Sequence, residues 1–226
     1  MDIAQEEATE RFARQRGLVD TEKLAATKVL MVGAGSVGSF TALALAKMGV
    51  GGITIYDHDS IETHNIPNQF YPEMLIGRNK AEALADVVMS FSGLAIVGVP
   101  TKWEGKTAFD GCGIIISSVD NMDARKALWE AHKGKEVLFI DPRMGAQVML
   151  IYTIRAWVEE DQKLYERSLH PQSEAVPEPC TARTIIYTVL LVAGFVAAQV
   201  KKHITGEAYH REVVYDAKLG ILVQTK

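Results

Sequence analysis

A glycine-rich turn between an apolar strand and a helical pattern constrains the fold of this sequence more than any other feature. The turn reads Gly33-Ala34-Gly35-Ser36-Val37-Gly38 and follows the β-branched run Lys28 to Val32, which is typical of a buried parallel strand. A helical pattern continues to Met48, and Gly52 to Tyr56 then indicates a second strand. Strand, helix and strand in this order predict a βαβ unit with a right-handed crossover.

The same turn predicts a binding site for an adenine nucleotide. Gly33, Gly35 and Gly38 allow a tight turn and let the backbone approach a pyrophosphate, whose charge lies at the helix N-terminus. Asp57 follows the second strand about 20 residues further on, where an acidic side chain can hold ribose hydroxyls. The glycine pattern alone does not choose between NAD and ATP, so an NAD dehydrogenase stays open at this point.

The remaining pattern predicts an α/β fold with a doubly wound, mainly parallel, Rossmann-like sheet and an antiparallel C-terminal extension. Residues 147–154 follow the preceding strand too closely for a crossover helix, which indicates an antiparallel pair. Residues 155–183 are polar and contain several prolines, so we expect a mobile crossover loop within a single domain, 1–226. The other predicted helices are 5–26, 79–91, 121–133 and 184–200, and the other predicted strands are 94–99, 113–117, 136–140, 211–216 and 220–224.

Composition and charge disfavour several classes of partner. The 226 residues carry a formal net charge of −4 and have a pI near 5.9, which gives no general attraction to nucleic acid or anionic membranes. The apolar run from Thr184 to Val200 is near the minimum length of a membrane span and contains polar residues, so we interpret it as a buried or interface helix. Two cysteines without a pairing motif indicate a reducing, cytoplasmic location.

The segment after the second strand narrows the nucleotide class. Asp57 to Gln69 reads D-H-D-S-I-E-T-H-N-I-P-N-Q and resembles the loop D-x-D-x-V-E-x-S-N-L-x-R-Q of the ThiF/MoeB/HesA superfamily, which includes the ubiquitin-activating enzymes. Further motifs of that superfamily recur here in the same order. They are Arg11-Phe12-Ala13-Arg14-Gln15, Gly77-Arg78-Asn79-Lys80-Ala81 and Ser118-Val119-Asp120-Asn121.

This resemblance implies ATP rather than NAD, and it implies roles for individual residues. Asp57 would bind the ribose, Lys80 would neutralise the phosphates, and Asp120 would hold Mg²⁺, an ion that prefers oxygen ligands. Arg14 resembles the arginine that family dimers supply to the ATP of the partner subunit, which implies a homodimer. The other positions expected to line the nucleotide site are Asp59, Asn65, Asn68, Gln69 and Asn121.

The sequence departs from the family pattern in two places. The arginine of N-L-x-R-Q is Asn68 here, which removes a charged bidentate clamp on phosphate. Three explanations stay open: Arg78 replaces the missing arginine, the enzyme turns over more slowly, or the chain is a non-catalytic homologue. The two C-x-x-C pairs that bind structural zinc in many relatives are also missing, so we expect no zinc.

The cysteines receive different interpretations. Cys180 stands at the end of the polar segment, close to Arg183 and to the start of the long helix, where a thiolate would be favoured. In ThiF-like relatives a cysteine at this place can bond to the activated carrier, so Cys180 is a candidate nucleophile, with a packed or incidental cysteine as the alternative. Cys112 precedes an apolar run and is interpreted as a core residue.

The expected activity is therefore adenylation of a C-terminal carboxylate by ATP. The expected substrate is a small ubiquitin-like or sulfur-carrier protein that ends in Gly-Gly, with possible transfer to a cysteine. Adenylation of a carboxylate on tRNA or a peptide is an alternative within the family, although the chain has no Lys/Arg-rich stripe for tRNA. The alternative that is not an enzyme is a catalytically silent scaffold.

Overall fold

The computed structural model describes residues 10–105, 113–170 and 184–225. Its strands form one eight-stranded sheet in the order β3-β2-β1-β4-β5-β6-β7-β8. The strands are β1 (Lys28–Val32), β2 (Gly52–Tyr56), β3 (Val97–Val99), β4 (Ile114–Ser117), β5 (Leu138–Gly145), β6 (Val148–Arg155), β7 (Glu212–Asp216) and β8 (Ile221–Thr225). The α-helices are α1 (Thr21–Ala26), α2 (Ser36–Met48), α3 (Lys80–Ser92), α4 (Met122–His132), α5 (Glu159–Glu166) and α6 (Ile186–Ile204).

The sheet divides into a parallel and an antiparallel part. β3, β2, β1, β4 and β5 pair in parallel, whereas β6, β7 and β8 continue the sheet in antiparallel order. The chain runs outward from β1 to β3 and then returns to the other side of β1 with β4, so the topology reverses between β1 and β4. Open α/β sheets bind ligands at this kind of switch point, beyond the carboxyl ends of the strands. The predicted fold class is confirmed.

The central strands are apolar on both faces because each face is covered by helices. In β1, Val29 and Met31 belong to the core cluster that includes α2, α3 and α6 residues, whereas Leu30 belongs to the opposite cluster with α4 and α5 residues. Both faces of the strand are fully buried, as the continuous apolar run indicates. Trp129 and Tyr165 fill the second cluster.

Three predicted elements differ from the structure. The helix expected over residues 5–26 is interrupted within the described part: residues 10–11 are helical, Ala13–Gln15 form a 3₁₀ turn and α1 follows, with Gly17 at a left-handed φ of 79° between the turn and α1. The strand expected at 94–99 covers only β3. The segment 155–183 is not a loop throughout, since it begins with α5, and its residues 171–183 lie outside the described residues.

The long helix α6 is confirmed as a packed helix. Its buried residues recur every three or four positions, and they include Val189, Val192, Val196 and Val200. Among the described helices, none combines the length and the apolar character that a membrane span requires. At the other end of the chain β8 forms the outer edge of the sheet, and Ile221, Leu222 and Val223 are exposed there.

Candidate functional site

The glycine turn lies at the carboxyl end of β1 in a very close fit against neighbouring backbone. Gly33 has a φ of 100°, and a Cβ there would lie 2.3 Å from the carbonyl oxygen of Ser118. A Cβ at Gly38 would lie 2.0 Å from the carbonyl oxygen of Gly33. At Gly35, by contrast, the added Cβ would have no described neighbour within 4 Å. Two glycines therefore permit the close packing of the turn, and Gly35 faces space that a phosphate group can enter.

The first turn of α2 offers backbone N–H groups to that space. Gly35 is the N-cap residue, and no side chain of the described chain caps the helix there. Helix N-termini of this kind bind anions through free N–H groups and the helix dipole. The turn can therefore hold phosphate oxygens without a basic side chain.

Asp57 is fixed by the glycine turn itself. Its Oδ2 accepts a hydrogen bond from the backbone N–H of Ala34 at 2.7 Å, and its Oδ1 accepts one from the N–H of Asp59 at 2.8 Å. Burial raises the pKa of this carboxyl above its ordinary value, and the two N–H donors partly oppose that shift. Each oxygen retains a lone pair, so the carboxylate can still accept a hydrogen bond from a ribose hydroxyl.

Lys80 is the first residue of α3, and its side chain is only 10% exposed. The ammonium Nζ lies 3.0 Å from Oδ2 of Asp59, whose side chain is 54% exposed. The ion pair with this carboxylate limits the rotation of the Lys80 side chain. The structure thus brings Lys80 together with Asp57 and Asp59, as the sequence predicted.

Two residues that the sequence did not single out hold this arrangement together. Asn79 caps α3 by accepting from the N–H of Glu82 at 3.1 Å, and its Nδ2 donates to the carbonyls of Asp57 at 3.0 Å and Asp59 at 3.1 Å. The Tyr71 hydroxyl lies 2.6 Å from the carbonyl oxygen of Ala34 and 3.2 Å from that of Lys80. An asparagine before a helix is a recognisable N-cap signal, whereas nothing in the sequence marks Tyr71.

Asp120 and Asn121 reach the same edge of the sheet from β4. The backbone N–H of Ser118 donates to the carbonyl of Val32 at 2.8 Å, which places the following loop beside the glycine turn. Asn121 caps α4 through the N–H of Ala124 at 2.8 Å, and its Nδ2 lies 3.2 Å from Oδ1 of Asp120. Asp120 itself is exposed.

The loop from Asn65 to Gln69 is engaged mainly in its own structure. Asn65 Oδ1 accepts from the N–H of Glu62 at 2.9 Å, and Asn68 Nδ2 donates to Thr184 Oγ1 at 2.6 Å. Asn68 Oδ1 and Gln69 Oε1 are buried, and neither has a hydrogen-bond partner within the described part of the chain. Within the described residues, the hydrogen-bonding capacity of these two oxygens is therefore unused.

Arg78, the residue expected to replace the missing family arginine, is directed elsewhere. Its Nη2 lies 2.8 Å from Oδ2 of Asp86 in an exposed ion pair. Arg78 therefore adds no free positive charge beside Lys80. Asp57, Asp59 and Asp120 contribute three negative charges and Lys80 one positive charge, which leaves a formal charge of −2.

The donors at this edge suit a hard divalent ion. Ligand atoms of Asp57, His58 and Asp59 lie within 4.8 Å of one another, and this group contains two carboxylates and one imidazole. Oxygen-rich sets of this kind suit Mg²⁺. Asp120 is not a member of that group, but its exposed carboxylate offers an oxygen ligand of the same kind.

Arg14 lies far from the glycine turn of its own chain. Gln15 Nε2 donates to the carbonyl of Lys47 at 3.2 Å, and Arg11 Nη1 donates to the carbonyl of Ser92 at 2.8 Å. The segment with Arg14 therefore covers the C-terminal ends of α2 and α3, whereas the glycine turn and Lys80 lie at their N-terminal ends. Each helix has 13 residues, and a helix of that length extends about 20 Å. Cys112 and Cys180 lie outside the described residues.

Comparison with known proteins agrees with the fold and the motifs. The model of the ThiF family matches residues 8–221. Ubiquitin-like modifier-activating enzyme 5 of Culex quinquefasciatus is 33% identical over 135 residues, which cover 52% of this chain and 34% of that protein. The adenylyltransferase and sulfurtransferase MOCS3-1 of Zea mays is 31% identical over 114 residues, covering 48% and 24%. The matched part is about a third or less of these relatives' own length.

Solved structures share the fold over nearly the whole chain. The crystal structure of PaaA has a TM-score of 0.78 at 20% identity and covers 97% of this chain and 73% of that one. Escherichia coli MccB, solved with AMPCPP and MccA, has a TM-score of 0.75 at 16% identity and covers 96% and 71%. At these identities the likeness establishes a common architecture, including the antiparallel strands at the C-terminal side of the sheet.

Proposed function

Because the chain belongs to the ThiF family, we propose that it adenylates the C-terminal carboxylate of a small ubiquitin-like or sulfur-carrier protein with ATP. One observation carries the proposal: at the carboxyl edge of the parallel strands Asp57 binds the glycine turn, and the buried Lys80 pairs with Asp59, two residues further along the same loop. The names of the matched relatives, activating enzymes and an adenylyltransferase, support the same activity.

The reaction needs positioning and positive charge more than it needs a nucleophile from the protein. A carboxylate oxygen of the substrate bonds to the α-phosphorus, the bond from that phosphorus to the bridging oxygen breaks, and pyrophosphate leaves. Both reactants are anionic, so their approach must be stabilised electrostatically and aligned. The N–H groups of α2 and the ammonium of Lys80 would bind the phosphates, and Asp57 would accept a hydrogen bond from the ribose.

The formal charge of −2 at this edge supports two further parts of the proposal. Asp120 would hold Mg²⁺, and the bound ion supplies positive charge that neutralises the phosphate oxygens. Arg14 of a second copy would complete each site, because the adjacent Gln15 binds the carbonyl of Lys47 at the C-terminal end of α2, whereas the glycine turn lies at the N-terminal end of this 13-residue helix, which is about 20 Å long. The proposed enzyme is accordingly a cytoplasmic homodimer with composite sites.

A substrate that ends in Gly-Gly fits the local chemistry. Glycine has no side chain, so two glycines let an extended tail reach a recessed phosphate at little steric cost. We regard a short peptide or tRNA carboxylate as the competing substrate.

The decisive experiment is the exchange of labelled pyrophosphate into ATP, measured with and without a candidate carrier. We expect exchange that requires both Mg²⁺ and the intact C-terminal Gly-Gly. A carrier that lacks the final glycine is the matched control. Tight binding of NAD together with no binding of ATP would disprove the proposed activity, and ATP binding without any exchange would favour a silent scaffold.

Cys180 is proposed as the acceptor of the activated carrier. Its thiolate would attack the acyl carbon, the bond from that carbon to the AMP oxygen would break, and AMP would leave. Cys180→Ala should keep pyrophosphate exchange and lose a thiol-sensitive adduct with the carrier. Mass spectrometry under non-reducing conditions measures the adduct, and its absence in the unsubstituted protein would end the reaction at the acyl-adenylate.

A further inference from the structure

A fully buried carboxylate lies beneath the Asp120 loop and is shared by two arginines. Asp141 is 0% exposed and belongs to β5. Its Oδ1 accepts from Nε of Arg125 at 2.8 Å, and its Oδ2 accepts from Nε of Arg143 at 2.8 Å and from the hydroxyl of Tyr165 at 2.9 Å. We call these four residues the Asp141 cluster. Burying charges is costly unless they are paired in this manner.

Arg125 connects the cluster to the candidate site. Its Nη2 donates to the carbonyl oxygen of Val119 at 2.8 Å, and Val119 immediately precedes Asp120. The planar guanidinium can serve Asp141 and this carbonyl together because its donors form a rigid fork. The carbonyl before Asp120 is thereby fixed to β5, which is part of the rigid sheet.

Arg143 binds the same carboxylate, but its other donors bind a different part of the chain. Its Nη1 donates to the carbonyl of Ser168 at 3.1 Å and its Nη2 to the hydroxyl of Ser168 at 2.9 Å. Its guanidinium also lies over the ring of Tyr152, at 4.9 Å from the centroid. The two arginines thus share a counter-ion, with side chains that are 8% exposed at Arg125 and 17% exposed at Arg143, and they differ in what the rest of the guanidinium binds.

We propose that Arg125 and Asp141 are positioning residues that set the affinity of Asp120 for its divalent ion. The proposal rests on the role given to Asp120 in adenylation. The exposed side chain of Asp120 is restrained by Asn121 at 3.2 Å, and the bond to the Val119 carbonyl restrains the backbone just before it. Residues that orient a metal ligand from behind typically change metal affinity by about 10- to 100-fold when they are replaced.

The test compares the same conservative change at the two arginines. In Arg125→Lys the ammonium keeps the charge beside Asp141 but cannot also reach the Val119 carbonyl in the geometry of a fork. We expect the Mg²⁺ concentration for half-maximal pyrophosphate exchange to rise about tenfold. Arg143→Lys should change that concentration less than twofold, although it disturbs the same carboxylate.

A second measurement does not depend on enzymatic activity. Hydrogen exchange of the peptide that contains residues 118–124, recorded without nucleotide, should be faster in Arg125→Lys than in Arg143→Lys. If Arg125→Lys does not fold, Arg125→Gln serves the same purpose. It leaves Asp141 and Arg143 as a pair of opposite charges, so it does not bury an uncompensated charge.

The outcomes separate this inference from the proposed activity. Equal effects of the two lysine variants on the Mg²⁺ requirement, or equal exchange of residues 118–124, would overturn the positioning role. A chain that shows no pyrophosphate exchange would refute the adenylation activity. In that case a selective increase in hydrogen exchange in the Arg125 variant would still support the restraint on the Asp120 loop, and its absence would overturn it.

Discussion

The two sides of the candidate site are built differently. On the nucleoside side, Asp57, Asn79 and Tyr71 connect the glycine turn, the loop after β2 and the start of α3 through a chain of short hydrogen bonds. On the Asp120 side, the carboxylate is exposed and its recorded side-chain contact is a 3.2 Å hydrogen bond from Asn121. The Asp57 side, which would bind the nucleoside, is therefore fixed by the fold, whereas the Asp120 side is held by fewer contacts, with a restraint at the neighbouring carbonyl of Val119. Substitutions on the two sides should accordingly separate stability from activity.

The largest effect is expected from Asp120→Ala. Carrier-dependent pyrophosphate exchange should fall at least about 100-fold, since a ligand of the divalent ion is lost. The midpoint of urea unfolding should change little, because the side chain is exposed and holds no buried group. Full activity would remove Asp120 from the site, and a large loss of stability would contradict the contrast between the two sides.

The composite site predicts recovery of activity from two inactive parents. Arg14→Ala and Asp120→Ala homodimers should each be inactive, whereas a mixed dimer contains one site with both residues intact. Activity of a purified heterodimer should reach about half that of the unsubstituted dimer. A verified heterodimer without activity would mean that Arg14 acts within its own chain or has no role in the reaction.

Asn79→Ala should affect both stability and binding. The substitution removes the cap of α3 and two hydrogen bonds to the loop of Asp57, which together should cost about 1–3 kcal/mol of unfolding free energy. We expect the affinity for ATP to fall about tenfold, because a loss of about 1.4 kcal/mol corresponds to that factor. Urea unfolding and calorimetry measure the two quantities.

Asn68→Ala is the matched control for Asn79→Ala, because Asn68 lies in the adjoining loop and donates to Thr184 rather than to the Asp57 loop. Its effect on ATP affinity should be smaller. Equal losses of affinity in the two variants would contradict the special role given to Asn79.

The smallest effect concerns pH. Burial raises the pKa of Asp57 above its ordinary value, and only the ionised carboxylate can accept from both ribose hydroxyls while its N–H bonds persist. The affinity for the nucleoside should therefore be highest at pH values above this raised pKa and should decline as the pH falls through it. Adenosine is the suitable probe, since it carries no phosphate that titrates. Asp57→Asn should bind adenosine weakly and without that decline, and an identical pH profile in the two proteins would contradict the assignment.

The placement of much of the candidate site could be predicted because its signals are local in sequence. The bounds of β1 and β2 agree with their apolar runs, and the motifs bring Lys80 to Asp57 and Asp59 as expected. The confirmed family membership follows from the same motifs.

What could not be predicted depends on contacts between distant segments or on backbone conformation. Tyr71 reaches Ala34 across 37 residues, and Arg125 meets Asp141 from another element. The left-handed backbone at Gly17 ends the expected N-terminal helix, although its sequence composition favours a helix. The sequence also did not predict where the Arg78 side chain lies, since Asp86 competes with phosphate as its partner. Side-chain direction is decided by such competition, which a linear pattern does not record.

The exposed edge at β8 has a consequence for the behaviour of the chain in concentrated solution. Within the described part of the chain no strand pairs with the outer side of β8, and the residues Ile221, Leu222 and Val223 of this strand add exposed apolar surface. Unprotected edge strands of this composition recruit strands from other molecules and start aggregation. Charged residues, above all lysine, are the usual protection at such edges. Val223→Lys should therefore raise the protein concentration up to which the chain does not aggregate during heating.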